Sequence, residues 1–170
     1  MKTSLLFSAL TVGLSSFMAQ PKESTDLRIH TADELSQRIV TALQQTSSVA
    51  YTELLLPLAE LHQVMHNHAA VYGSTLTDAK DELANAYYNT VLPEATIGFE
   101  HLIQEGIKKG IDWSSIRYSG VEQSRTFKTK FDTGEIVLTF VHNHTPYRLR
   151  ITNALVIDGQ WRANKHVQFI

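Results

Sequence analysis

The stretch EIVLTFVHN, residues 135–143, decides the fold class of this chain. Its apolar residues Ile136, Leu138 and Phe140 stand at every second position. This is the period of a β-strand that buries one face, whereas a helix would repeat at intervals of three and four. The alternation also covers most of the chain after residue 115, so we predict that the C-terminal part is a sheet.

Three turn signals divide this part into four strands. The turns are expected at Asp132-Thr-Gly134, His144-Thr-Pro146 and Asp158-Gly159, because glycine, proline and aspartate favour turn backbones. Gly120 is an expected bulge in the first strand. Short connections between successive strands indicate an antiparallel meander. In the third strand the expected inward residues are Tyr147, Leu149, Ile151, Leu155 and Ile157.

The N-terminal half instead repeats apolar residues at helical spacing and is expected to form about four helical segments. Thr31-Ala-Asp-Glu34 predicts a capped helix start, followed by a helix to about residue 47. A second helix should cover residues 54–72, with Pro57 either kinking it or starting it. Gly73 should end that helix, and the capping box Thr75-Leu-Thr-Asp78 should start a third helix that runs to about Leu92. A further segment should run from Pro93 to Lys109, with Gly110 as its stop and with an inward stripe. That stripe is Phe99, Leu102, Ile103 and Ile107. Helices followed by strands predict an α+β fold, with the helices packed on a curved four-stranded sheet.

The first residues predict an exported protein. Lys2 precedes an apolar run from Leu5 to Phe17, which is too short to span a bilayer and is typical of a signal-peptide core. We expect residues 1–19 to be a signal peptide, 20–30 a linker and 31–170 a single domain, secreted or periplasmic. No membrane span is expected after cleavage; the alternative is an N-terminal anchor that stays attached.

Composition excludes several classes of function. The chain has no cysteine, so disulfides, thiolate metal sites and cysteine nucleophiles are excluded. The 15 Lys and Arg nearly balance the 17 Asp and Glu, and no nucleic-acid partner is expected. No phosphate-binding loop, dinucleotide fingerprint or serine elbow occurs, and no cofactor is expected.

The C-terminal end carries a resemblance to known families. The stretch ALVIDGQWRANKHVQF (154–169), the strand entry Gly110-Ile-Asp-Trp-Ser114 and the closing Gly159-Gln-Trp161 resemble small exported domains of the cystatin-like or NTF2-like kind, including uncharacterised secreted bacterial proteins. The resemblance implies a cavity between sheet and helices that serves small ligands or catalysis in different members. It implies no single chemistry.

The stretch HQVMHNH, residues 62–68, contains the candidate metal ligands. His62 and His66 are four residues apart on one helical face, a spacing that can chelate a metal ion. Gln63 stands where a metalloprotease has its glutamate base, and a third ligand would have to come from elsewhere in the fold. The alternative is that both histidines lie at the edge of the core, hydrogen-bonded or wet.

A second motif, Asp132-Thr-Gly134, matches the aspartic-protease triplet. That chemistry needs two such loops, so that two carboxylates share one proton. The single copy favours an ordinary turn.

Aromatic and basic residues supply the candidate ligand-binding set, with a place in the core or on a solvated sheet face as the alternative. The set is Tyr87, Tyr118, Arg148, Arg150 and Trp161. The function predicted first is non-catalytic binding of a small molecule or a protein partner in the cavity between sheet and helices. The alternatives are a metal-dependent or acid–base enzyme that uses His62 and His66, and a structural envelope protein. The oligomeric state stays open.

Overall fold

The computed structural model describes residues 28–67, 76–128 and 131–170. Helices fill the N-terminal half and a curled antiparallel sheet fills the C-terminal half, so the predicted α+β fold is confirmed. The helices are α1 (Ala32–Gln44), α2 (Ser48–Thr52), α3 (Leu58–Asn67), α4 (Leu76–Ala86) and α5 (Leu92–Lys108). The strands are β1 (Arg117–Lys128), β2 (Phe131–His142), β3 (Thr145–Ile157), β4 (Gln160–Arg162) and β5 (Val167–Phe169).

The start of α1 confirms the threonine cap of the predicted capping box. The Thr31 side chain accepts a hydrogen bond from the Glu34 backbone N–H at 3.0 Å, and the Glu34 carboxylate accepts from the His30 N–H at 3.1 Å. The first bond satisfies one of the N–H groups that a helix start leaves free. The second bonds the residue before the cap, not the N–H of Thr31. Just before the cap, Ile29 is fully buried and its carbonyl accepts from the Trp161 N–H at 2.7 Å. The first helix is therefore tied to the last part of the sheet.

The helix expected over residues 54–72 begins only after Pro57, so residues 54–56 were wrongly predicted as helical and the second of the two roles predicted for Pro57 is confirmed. Leu54 and Leu55 are both buried. Leu54 lies in the turn that follows α2 and its carbonyl accepts from the Ala163 N–H at 2.8 Å, while Leu55 forms a β-bridge with Ala163. Pairing with the sheet has overridden the helical spacing. Pro57 starts α3, since its carbonyl accepts from the Leu61 N–H at 3.0 Å. The end expected at Gly73 and the capping box expected at Thr75 lie outside the described residues.

A π-helical turn, Tyr87–Val91, joins α4 to α5 without a break. The Leu92 N–H donates to the Tyr87 carbonyl, five residues back. Pro93 follows, and a proline in a regular helix would lack its N–H and clash with the carbonyl four residues earlier. The wider turn accommodates Pro93, so the expected new helical segment continues the previous helix.

The strand order is β1-β2-β3-β4. Strand β4 pairs with the last residues of β3, and β5 pairs with an earlier part of β3, at residues 149–151. The expected last strand is therefore two short strands. The β3–β4 hairpin turns at Asp158-Gly159, as predicted. The β2–β3 hairpin turns at Asn143-His144, one residue before the expected start. Gly120 follows a register shift in β1, which confirms the bulge.

The turn predicted at Asp132-Thr-Gly134 is wrong. These residues lie inside β2, where Asp132 pairs with Phe127 of β1 and with Val156 of β3. Gly134 is buried because the ring of Trp161 lies against it: an added Cβ would stand 2.8 Å from that ring and 2.8 Å from the Ser124 carbonyl oxygen. The glycine thus serves close packing rather than a turn.

The inward face predicted for β3 is right for its first half only. Leu149 and Ile151 are fully buried, but Ala154 and Val156 then replace Leu155 and Ile157 as the buried pair. Asn153, with φ 55°, lies in a register shift against β2 and moves the following side chains to the other face.

Apolar side chains fill the space between α1 and the sheet. Leu35, Ile39 and Leu43 of α1 are fully buried, as are the inner residues of β2 and β3. Those strand residues are Ile136, Leu138, Phe140, Leu149 and Ile151. No helix in the described part of the chain is long and apolar enough to cross a membrane.

Candidate functional site

The two predicted metal ligands lie on α3 in different surroundings. His62 is half-buried, and its Nε2 is enclosed without a hydrogen-bond partner, whereas His66 is exposed. Within residues 28–67, 76–128 and 131–170, no group of three histidine or acidic side chains is placed to hold a metal ion. Glu60, two residues before His62 on α3, is engaged by Arg162 of β4. The metal site stays a prediction from the His62–His66 spacing.

Arg148 and Arg150 lie on the outer face of the sheet. Arg148 donates to Glu122 of β1 at 2.8 Å, and Arg150 lies 3.4 Å from Glu135 of β2. Arg150 is in register with Val137, which is only 8% exposed although it also points outward. The two arginines therefore belong to a face of cross-strand ion pairs over a sheltered valine.

The three aromatic residues predicted to bind a ligand lie in different parts of the fold. Trp161 is 1% exposed and part of the core. Tyr118, at the start of β1, donates its hydroxyl to Asp33 of α1 at 2.5 Å; burial and this carboxylate raise the pKa of Tyr118. Tyr87 is buried in the π-helical turn, where burial and the neighbouring Tyr88 raise its pKa. The structure does not bring the five candidate ligand-binding residues together.

A different feature has the shape of a binding site. An open groove of about 350 Å³ runs along α5 beside the turn between α1 and α2. Three aliphatic and aromatic residues of α5 and three polar residues line it. The apolar residues are Phe99, Ile103 and Ile107, and the polar ones are Thr46, Glu100 and Gln104. We call this feature the α5 groove.

The fold explains why the α5 groove stays open. Helix α2 covers only the first part of the apolar stripe of α5, where Tyr51 stacks on Phe99 with ring centroids 4.9 Å apart. Thr46, in the turn before α2, has a φ of 46°, the left-handed conformation that often follows a helix end, and it lines the groove on this side. Ile103 is 8% exposed, but Ile107, one turn further, is 53% exposed.

The three apolar residues of the groove belong to the stripe of α5 that was predicted to face inward. The stripe is correct for Phe99 and Ile103, but Ile107 is largely in solvent. Helical spacing identifies which residues share a face, but not how far a neighbouring helix extends along it. The shortness of α2, five residues, leaves the end of this face uncovered.

A polar cluster lies at the end of the sheet, where α5 connects to β1. Asp112 caps the short 3₁₀ turn Trp113–Ser115 through bonds from the backbone N–H and the hydroxyl of Ser114, at 3.1 and 2.7 Å. These bonds hold the pKa of the Asp112 carboxyl below its usual value. The Nε2 atom of His142 accepts from the Asp112 N–H at 3.3 Å. The hydroxyl of Ser114 thus points to a carboxylate and not to an imidazole.

No protein-family model matches the chain, and no curated protein or solved structure matches it either. The resemblance to cystatin-like and NTF2-like domains therefore depends on the C-terminal motifs alone.

Proposed function

We propose that this protein is a non-catalytic binding domain whose α5 groove takes a small molecule with an apolar body and a polar group. The observation that carries the proposal is the groove itself, which both apolar and polar residues line. A volume of about 350 Å³ is at the lower end of the range for small-ligand sites.

The chemistry of the lining supports this ligand class. Phe99, Ile103 and Ile107 offer apolar contact along about two turns of α5. Glu100 and Gln104 are exposed polar residues of the lining. The Glu100 carboxylate only accepts hydrogen bonds, whereas the Gln104 amide both donates and accepts, so a polar group that donates can bond to either residue. The inner residues of β2 and β3 are fully buried, so we place the ligand in this groove rather than between sheet and helices.

We also propose that the mature protein acts outside the cytoplasm, after removal of residues 1–19. The support is the apolar run from Leu5 to Phe17 and the absence of cysteine. Expression of the full chain in a bacterial host, followed by intact mass measurement of the periplasmic fraction, tests this. A mass lacking residues 1–19 is expected, and a full-length mass would contradict cleavage.

Binding of a neutral apolar dye, Nile red, tests the α5 groove. Its fluorescence should rise on addition of the protein, and Ile107→Glu should weaken binding by about tenfold, equivalent to about 1.4 kcal/mol. A carboxylate in the apolar lining of the groove makes entry of an apolar molecule unfavourable because the charge must lose water.

Ile97→Glu is the matched control. Ile97 is on the same helix and 52% exposed, against 53% for Ile107, but it does not line the groove. The control variant should bind the dye as the unmodified protein does. Equal weakening by both substitutions, or binding that neither changes, would refute the α5 groove as the site.

A further inference from the structure

His142 is a buried histidine with a defined acceptor role. It is 6% exposed, and its Nε2 accepts from the backbone N–H of Asp112 at 3.3 Å. A ring nitrogen that accepts a hydrogen bond carries no proton, so the neutral imidazole has its proton on Nδ1. The contact joins the end of β2 to residues 110–115, the segment that connects α5 to the sheet.

This connecting segment holds the end of α5 through Trp113. The indole N–H of Trp113 donates to the Ile103 carbonyl at 3.0 Å, and its ring lies against Gly106 so closely that an added Cβ would be 2.0 Å away. The His142 contact fixes the residue immediately before Trp113. A change at His142 therefore acts on a segment that contacts α5.

We propose that the contact between the His142 imidazole and the Asp112 N–H is a pH-sensitive latch between the sheet and the segment 110–115. A proton added at Nε2 turns the acceptor into a donor, and that donor then faces another donor. The hydrogen bond is then lost, and the segment loosens when acidification protonates the ring.

The charges around His142 permit this protonation. The carboxylate of Asp112 interacts electrostatically with His142 and attracts the imidazolium, which offsets part of the cost of a buried charge. The adjoining elements carry Arg117 at the start of β1, Lys108 and Lys109 at the end of α5, and Tyr147 on β3. Lys109 pairs with Glu105, and the Tyr147 ring stacks on Phe140.

Nuclear magnetic resonance on the whole chain tests the latch. At neutral pH the ¹⁵N spectrum should show His142 with Nε2 unprotonated. On acidification, the Asp112 amide and Trp113 indole signals should shift with the same midpoint as the His142 ring. A protonated Nε2 at neutral pH, or Asp112 and Trp113 signals that stay still while His142 titrates, would overturn the proposal.

His142→Gln gives the matching variant, since a glutamine oxygen can accept at the Nε2 position and does not titrate. It should keep the neutral-pH spectrum and lose the shared transition. His166→Gln removes an exposed histidine and should leave the transition unchanged. Retention of the transition in His142→Gln would contradict the latch. If that variant does not fold, the measurements on the unmodified chain still decide.

Discussion

Arg162 of β4 and Glu60 of α3 form a two-bond ion pair that fixes α3 to the sheet. The Arg162 Nη2 donates to one carboxylate oxygen at 2.7 Å and its Nε donates to the other at 3.2 Å. The Arg162 side chain is 5% exposed, and that of Glu60 is 40% exposed. A buried guanidinium needs such a partner because the charge has lost its water. This basic residue of the sheet is thus a structural anchor.

We expect the Arg162–Glu60 ion pair to contribute more to stability than the exposed Arg148–Glu122 ion pair does. Glu60→Ala should lower the free energy of unfolding by about 1–3 kcal/mol, because it removes two charge-assisted hydrogen bonds from a buried guanidinium. Glu122→Ala is the control, since Glu122 pairs with Arg148 but is 72% exposed. That variant should lose less than about 1 kcal/mol. Urea denaturation followed by circular dichroism measures both, and equal losses would contradict the anchoring role of Arg162.

Gly134 tests whether Asp132-Thr-Gly134 is strand or turn. The φ of Gly134 is not positive, so alanine would be tolerated in an open turn. In β2 the added methyl group would meet the Trp161 ring and the Ser124 carbonyl, both at 2.8 Å. Gly134→Ala should therefore destabilise the fold by about 1–3 kcal/mol through overpacking. A neutral result in thermal denaturation would argue against the packing of Trp161 on Gly134.

The sequence correctly predicted those structural elements that depend only on residues close together in the chain. The Thr31 cap requires only a neighbouring N–H, and the turn at Asp158-Gly159 requires only two residues that accept positive φ, here 49° and 76°. The alternation of Ile136, Leu138 and Phe140 correctly predicted the buried face of β2. In a strand without a bulge, every second side chain points to the same face of the sheet.

The sequence predictions that were wrong have a common cause, which is contact between parts of the chain that are far apart in sequence. Asp132-Thr-Gly134 has turn composition, but pairing with β1 on one side and β3 on the other keeps it extended. Asn153 reverses the inward face of β3, a change that the alternation of the sequence does not contain. The α5 groove depends on where α2 ends in space. No spacing rule within α5 reveals that Ile107 remains exposed.

The β2–β3 turn predicts a stabilising substitution. Asn143 and His144 have φ values of 47° and 65°, both in the left-handed region, and His144 is exposed. His144→Gly should raise stability by about 0.5 kcal/mol, because glycine removes steric strain at the cost of some unfolded-state entropy. Gly159→Ala, at φ 76°, should lower stability by about 1 kcal/mol. The two variants should move the melting temperature in opposite directions; shifts of the same sign would contradict this account of the turns.

The lowered pKa of Glu34 makes the stability of the fold depend on pH at the start of α1. This pKa is lowered, chiefly by the hydrogen bond from the His30 N–H and also by Arg38. A lowered folded-state pKa means that the ionised carboxylate contributes stability above its ordinary value of 4.5, and that this contribution is lost as the pH falls through the folded-state pKa. The Glu34 side chain is 36% exposed, so solvent screens these interactions and the contribution is at most about 0.5 kcal/mol.

Glu34→Gln should therefore be less stable than the unmodified protein at neutral pH, with a difference that narrows below pH 4.5. Thr31→Ala is the control, because it removes the hydroxyl cap of the same helix and should cost about 1 kcal/mol at both pH values. Urea titrations at neutral and acid pH give the four differences. A Glu34→Gln difference that grows on acidification would show that the carboxylate opposes folding, and would place the cap energy in the Thr31 hydroxyl alone.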